Sequence, residues 1–186
     1  MTLDKRFLVG SLSLAATALV GIVAYEGYTD KAVRPVPGDV PTYGFGSTVK
    51  ADGKPVQMGD TITPPAALAL AARDIALKEG ALKACLGDVR LTQGEYDAYV
   101  SLSYNVGASA VCKSSIPVKL KAGQYEAACR TILDFKKVQG RDCCAPENKN
   151  FCSGICKRRQ SEYQTCMGLA DGDLKNIATQ RGDGNV

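Results

Sequence analysis

Catalysis in this chain must run through carboxyls, hydroxyls, lysines or thiols, because its 186 residues include no histidine. That excludes Ser-His-Asp and Cys-His nucleophile pairs and any histidine-ligated metal. The acids that draw notice lie early. The stretch "GIVAYEGYTD" (residues 21 to 30) sets Glu26 directly after an apolar run and Asp30 four residues on, and Asp39 and the hydroxyl of Thr42 follow shortly. All eight cysteines, by contrast, fall at or after Cys85. An even count in an exported chain reads as disulfides, although the order along the chain leaves 105 pairings open. Zinc would need the four between Cys143 and Cys156, whose adjacent pair and three-residue gap are not paired C-x-x-C knuckles. We therefore expect disulfides and no metal site. The net charge of +4 favours an anionic surface, whether wall, membrane or nucleic acid, without choosing among them.

The elements that must position these groups begin with a segment of unusual character. Phe7 to Tyr25 carries no charge and follows Lys5 and Arg6. As one helix it would be about 28 Å long, close to the roughly 30 Å of a bilayer core, with the basic residues holding the N-terminus in the cytoplasm. Nearly half of it is Gly, Ala, Ser and Thr, so its hold on lipid is weak. A retained but releasable segment is the favoured reading, ahead of a cleaved signal peptide and of a permanent anchor. Residues 26 to 60, rich in Gly, Pro, Thr, Val and Tyr, read as a short hairpin region with turns at Pro37-Gly38-Asp39 and Asp52-Gly53. Thr63 with Pro64 starts a helix toward Cys85, and Thr92 with Glu95 forms a capping box for a helix through Ser103. Further helices are expected near 114 to 121, 124 to 135 and 157 to 167. The sum is an α+β fold: residues 1 to 25 the membrane segment, 26 to 168 one domain, and 169 to 186 a fraying tail.

Placed in order, "EGYTDKAVRPVPGDVPTYGFGST" (from Glu26), "SYNVG" (Ser103 to Gly107), "KLKAGQYEAAC" (Lys119 to Cys129) and "SGICKRRQSEY" (Ser153 to Tyr163) resemble the phage-type lysozymes of glycoside hydrolase family 24. Glu26-Gly27 matches the family's Glu-Gly at the end of a first helix, and Thr42, Gly44 and Gly46 match its T-x-G-x-G. The resemblance implies a lysozyme-like fold, a small β-hairpin region beside a mainly helical lobe. It also implies cleavage of the β-1,4 link between N-acetylmuramic acid and N-acetylglucosamine in peptidoglycan. Such an enzyme needs an acid for the leaving oxygen and, when inverting, a carboxylate that activates water. Glu26 takes the acid's place, where partial burial would keep it protonated. Thr42 takes the threonine's.

The aspartate is where the chain departs from the pattern. The family's position, counted from either end, falls on Pro35 or Val36, and the stretch from Glu26 to Thr42 is one residue longer than usual. Asp39 is the first choice for the base and Asp30 the second; with no base at all, a lytic transglycosylase becomes the enzymatic rival. Ser47 replaces the usual histidine and reads as a changed support. Tyr104, Asn105 and Arg158 are candidates for substrate contact, against packing or a solvated helix face as the alternative for each. The resemblance implies a monomer without cofactor that acts on glycan strands and binds no nucleic acid.

Glu26 abuts the membrane segment with no linker. In the lysozyme fold the residues before this glutamate form a helix packed on the domain, so the segment cannot span the bilayer and complete the fold together. The expectation is a signal-arrest-release enzyme: held inactive in the host inner membrane facing the periplasm, then released into the periplasm. The rival from another class is an exported disulfide-rich module that binds cell wall without catalysis.

Overall fold

The computed structural model describes residues 5–35 and 38–169. The tail from residue 170 onward, expected to fray, lies outside the described residues, as does Pro37 of the first turn. Two compact units divide the chain: Ala15–Gly80, and the residues up to Leu14 together with those from Ala81 onward.

The first unit opens with α1 (Ala16–Glu26), an Ala/Leu/Val helix whose Ile22 is buried and which Gly27 closes. Strand β2 (Thr29–Val33) then pairs antiparallel with β3 (Thr42–Gly44), with Thr29 opposite Gly44 and Val33 opposite Thr42. The unequal spacing puts a bulge in β2. On its other edge β2 meets residues 60–62, where Ala32 N–H donates to Asp60 O and Ile62 N–H to Asp30 O, both at 2.9 Å. Ala32, Tyr43, Val56 and Leu70, with Ile62 against them, form the small core beneath these strands. Leu70 belongs to α2 (Pro64–Leu86), which starts where Thr63 and Pro64 predict.

The second unit is helical and is built around α3 (Gln93–Val106). The predicted capping box is present: Thr92 Oγ1 accepts from Glu95 N–H at 3.1 Å, and Glu95 Oε2 accepts from Thr92 N–H at 2.8 Å. Tyr96, Tyr99, Val100 and Leu102 are fully buried. Against α3 lie α4 (Ala108–Lys113) and α7 (Lys149–Met167). Helices α5 (Ile116–Lys121) and α6 (Tyr125–Thr131) complete the set. All eight cysteines pair, as Cys85–Cys112, Cys129–Cys166, Cys143–Cys152 and Cys144–Cys156. The zinc alternative therefore has no thiolates. The two longer bridges close 27 and 37 residues, worth about 3–4 kcal/mol each in the chain-entropy account.

The N-terminal segment, expected as a membrane helix, takes another course in this fold. Residues 7–25 do not form one helix here: β1 (Phe7–Leu8) pairs with β4 (Arg90–Leu91), a 3₁₀ turn covers Val9–Ser11, and α1 starts only at Ala16. The cause is tertiary. Val9 N–H donates to Val89 O at 2.9 Å, Val9 and Leu12 are buried, Gln93 donates to Ser13 O at 2.8 Å, and Lys83 donates to Leu12 O. Arg6 grips the buried Glu95 through two nitrogens, at 2.7 and 3.1 Å, and lies 3.8 Å over the Tyr125 ring. Gly10, Ser11 and Ser13 offer little helix propensity to resist this. Among the described residues no helix is long and apolar enough to cross a membrane. The segment is divided between the two units after Leu14.

Candidate active site

Glu26 is the last residue of α1 and is half-buried. Its neighbour is the tight turn after β3. Tyr43 and Ser47 exchange both backbone hydrogen bonds, at 3.2 and 3.1 Å, so residues 44 to 46 must reverse the chain in minimal space. Gly44 and Gly46 do this at φ of 62° and 88°, the left-handed side that residues with a Cβ seldom adopt. Each glycine also faces something close. A Cβ on Gly44 would stand 2.9 Å from Ala67 Cβ on α2, and one on Gly46 would stand 3.8 Å from Glu26 Oε2. The turn thus presents bare backbone to the acid.

The underside of the turn is held to α2. Ser47 is buried and donates its hydroxyl hydrogen to Asp74 Oδ2 at 2.7 Å. Arg73 donates to Asp74 Oδ1 at 3.1 and 2.8 Å, and to the carbonyls of Lys50 and Val49 at 2.8 and 2.9 Å. Beside it Asp60 receives Gln57 N–H at 2.9 Å and pairs with Lys50 at 3.2 Å, and these contacts hold its carboxyl below the ordinary aspartate range. Burial pushes the Tyr43 phenol up, leaving it a neutral core side chain.

The remaining predicted residues separate into groups. Thr42 is half-buried at the start of β3, Asp39 is exposed in the turn that leads to it, and Asp30 is exposed on β2; all lie with Glu26 in the unit Ala15–Gly80. Tyr104 and Asn105, half-buried at the end of α3, belong to the other unit. Arg158 turns its charge into its own unit. It is 3% exposed, and its guanidinium donates to Glu162 Oε1 at 3.3 Å and to Ser101 O at 3.4 Å. Glu162 also takes Arg159 at 2.8 Å and the Ser101 hydroxyl at 2.7 Å. The carboxylate that Arg158 meets is that of its own helix, one turn on, and two guanidiniums buried in this unit require it.

What sequence reasoning missed is the partner of Ser47. Nothing in its spacing from Asp74, 27 residues away, signals the bond; only the loss of the expected histidine marked the position.

The chain is similar to known proteins over most of its length. The phage lysozyme family profile matches residues 23–162. The endolysin of Salmonella phage P22 is 34% identical over 131 residues, covering 70% of this chain and 88% of that protein. The SAR-endolysin of Haemophilus phage HP1 is 27% identical over 158 residues, 79% of this chain and 77% of that protein. Among solved structures, the endolysin from Escherichia coli O157:H7 phage FAHEc1 superposes with a TM-score of 0.71 at 28% identity, over 87% of this chain and 96% of that one. With a match that takes in Glu26, Thr42 and both turn glycines, the chain belongs to the phage lysozyme family.

Proposed function

We propose that the chain is an N-acetylmuramidase that hydrolyses the β-1,4 bond between N-acetylmuramic acid and N-acetylglucosamine, and that it is exported inactive and switched on by release from the membrane. Membership of its family makes it a lysozyme that lyses the host cell; the bond cleaved and the mode of delivery are the proposal. The observation that carries the chemistry is Glu26, half-buried at a helix end against the bare backbone of Gly46. A carboxyl so placed can reach a glycosidic oxygen seated against that turn and serve as its general acid.

In this reading Glu26 gives its proton to the glycosidic oxygen as the bond from the muramic acid anomeric carbon breaks. Asp39 takes a proton from a water whose oxygen bonds that carbon, and Thr42 orients the water. One water is consumed, and both carboxyls regain their starting states by exchange with solvent. The family's aspartate position falls on Pro35 or Val36, and this favours one rival: a transglycosylase, in which a hydroxyl of the muramic acid attacks and no base is needed.

Release is supported by the course of the N-terminal segment. Residues 7 to 25 supply both β1 and most of α1, so this fold and a bilayer-spanning helix compete for the same atoms. The likeness to the SAR-endolysin of phage HP1 points the same way. The chemical half is tested by Glu26→Gln, which should keep the fold and stop the clearing of peptidoglycan suspensions. Undiminished clearing would reject Glu26 as the acid, and wall binding without clearing by the native protein would favour a binding module.

A further inference from the structure

Taking Glu26 as the acid, we propose that Ser47 is a positioning residue for it, acting through the 44 to 46 turn and clamped in place by Asp74 and Arg73. Four observations link them in sequence. Gly46 is the residue whose backbone faces Glu26 Oε2. The next residue, Ser47, is 2% exposed and its hydroxyl donates to Asp74 on α2. Asp74 is itself held by Arg73 Nε and Nη2, and Nη2 and Nη1 also donate to the carbonyls of Val49 and Lys50, two and three residues past Ser47. The turn is narrow, closed by the paired Tyr43 and Ser47 backbone bonds, so a shift at Ser47 is passed to Gly46 with little slack.

A glycine at 46 gives the acid close packing without a side chain, but it cannot hold its own place, because a positive-φ glycine is the most mobile residue a turn can use. Fixing must come from a neighbour. A serine hydroxyl on a carboxylate supplies a charge-assisted hydrogen bond that a buried turn can use at little cost in volume. Without it, Asp74 keeps Arg73 but the turn loses its tether, and the wall beside Glu26 moves. Displacements of about 1 Å in a catalytic geometry cost up to about 100-fold in rate. Because the tether touches no substrate atom, its loss should appear in kcat and leave KM near its starting value.

The test compares Ser47→Ala, Ser47→Thr, Val56→Ala and Glu26→Gln with the native protein on soluble, purified peptidoglycan fragments, well below every melting temperature. Val56 is a core residue of the same unit, packed with Ala32, Tyr43 and Leu70. Its side chain has no polar atom to bond Asp74 or Arg73, so its variant reports what destabilisation of the unit does while the clamp's hydrogen bonds are kept. Ser47→Ala should lower kcat roughly tenfold to a hundredfold with KM within about twofold. Ser47→Thr, which keeps the hydroxyl, should recover most of it, and Val56→Ala should keep native kcat. Should Ser47→Ala fail to fold, Asp74→Asn, which weakens the acceptor at constant volume, should give the same split. A native kcat in Ser47→Ala, or equal losses in Ser47→Ala and Val56→Ala, would overturn the positioning role while Glu26→Gln stays inactive. An active Glu26→Gln would overturn the acid assignment and the proposal with it.

Discussion

Gly44→Ala isolates how much stability rests on the turn that walls the site. Two costs add. The residue sits at φ 62°, where a Cβ is worth about 1–2 kcal/mol of strain. The new methyl would also stand 2.9 Å from Ala67 Cβ and 3.4 Å from Ala67 Cα. Ala67 is 1% exposed within α2, so neither atom has room to retreat, and overpacking of this kind costs about 1–3 kcal/mol. Alanine's stiffer unfolded chain returns about 0.4–1 kcal/mol. The net loss is about 1–4.5 kcal/mol, or roughly 2–18 °C in Tm for a chain of this size. Gly46→Ala is the matched contrast. It meets similar strain at φ 88°, but its nearest new contact is Glu26 Oε2 at an ordinary 3.8 Å. It should cost less stability, about 0–1.5 kcal/mol after the same return from the unfolded chain, and more activity, because the methyl covers the acid. Thermal unfolding followed by circular dichroism, with wall-clearing rates beside it, reads both. A Tm loss for Gly44→Ala below about 2 °C, or a larger loss for Gly46→Ala than for Gly44→Ala, would refute the reasoning.

Two other perturbations probe the release segment and the charge pattern under the hairpin. A Cβ at Gly10 or Gly21 meets nothing within 4 Å, so Gly10→Leu with Gly21→Leu should fit the fold while adding about 3–6 kcal/mol of apolar affinity for lipid. The variant should stay in the membrane fraction and delay host lysis, with native activity once purified; unchanged fractionation and lysis time would refute release control. For Asp60, the Gln57 N–H and then Lys50 depress the folded carboxyl below its ordinary 3.8. A depressed acid contributes stability that is full above the unfolded value and lost as pH falls through the folded one. The Tm gap between the native protein and Asp60→Asn should therefore be constant from about pH 7 to 5 and shrink below 3.8. A gap unchanged down to about pH 2 would contradict the assignment.

Local signals were legible in the sequence wherever local physics decided the outcome. The capping box at Thr92 and Glu95, the start of α2 after Thr63, and the paired glycines at 44 and 46 are short-range features, and each stands where its residue types place it. The even cysteine count gave disulfides, but their pairing depends on how helices meet and no spacing encodes it. The same limit hid the fate of residues 7 to 15. Read alone they continue an apolar helix; in the fold Phe7 and Leu8 pair with residues more than eighty positions later. A partner so distant leaves no trace in periodicity. The ion pair of Arg158 did have a sign in the sequence: Glu162 stands four residues on, at ion-pair spacing along a helix. Helix α4 escaped notice because its six residues between Gly107 and Ser114 are too few to show a period.

The central claim, hydrolysis with Glu26 as the acid, is met most directly by mass spectrometry of the sugars released when the native protein and Glu26→Gln digest purified peptidoglycan. Reducing muramic acid ends from the native protein alone are the predicted result. Anhydro-muramic acid ends would contradict hydrolysis, and reducing ends from both proteins would contradict the role given to Glu26.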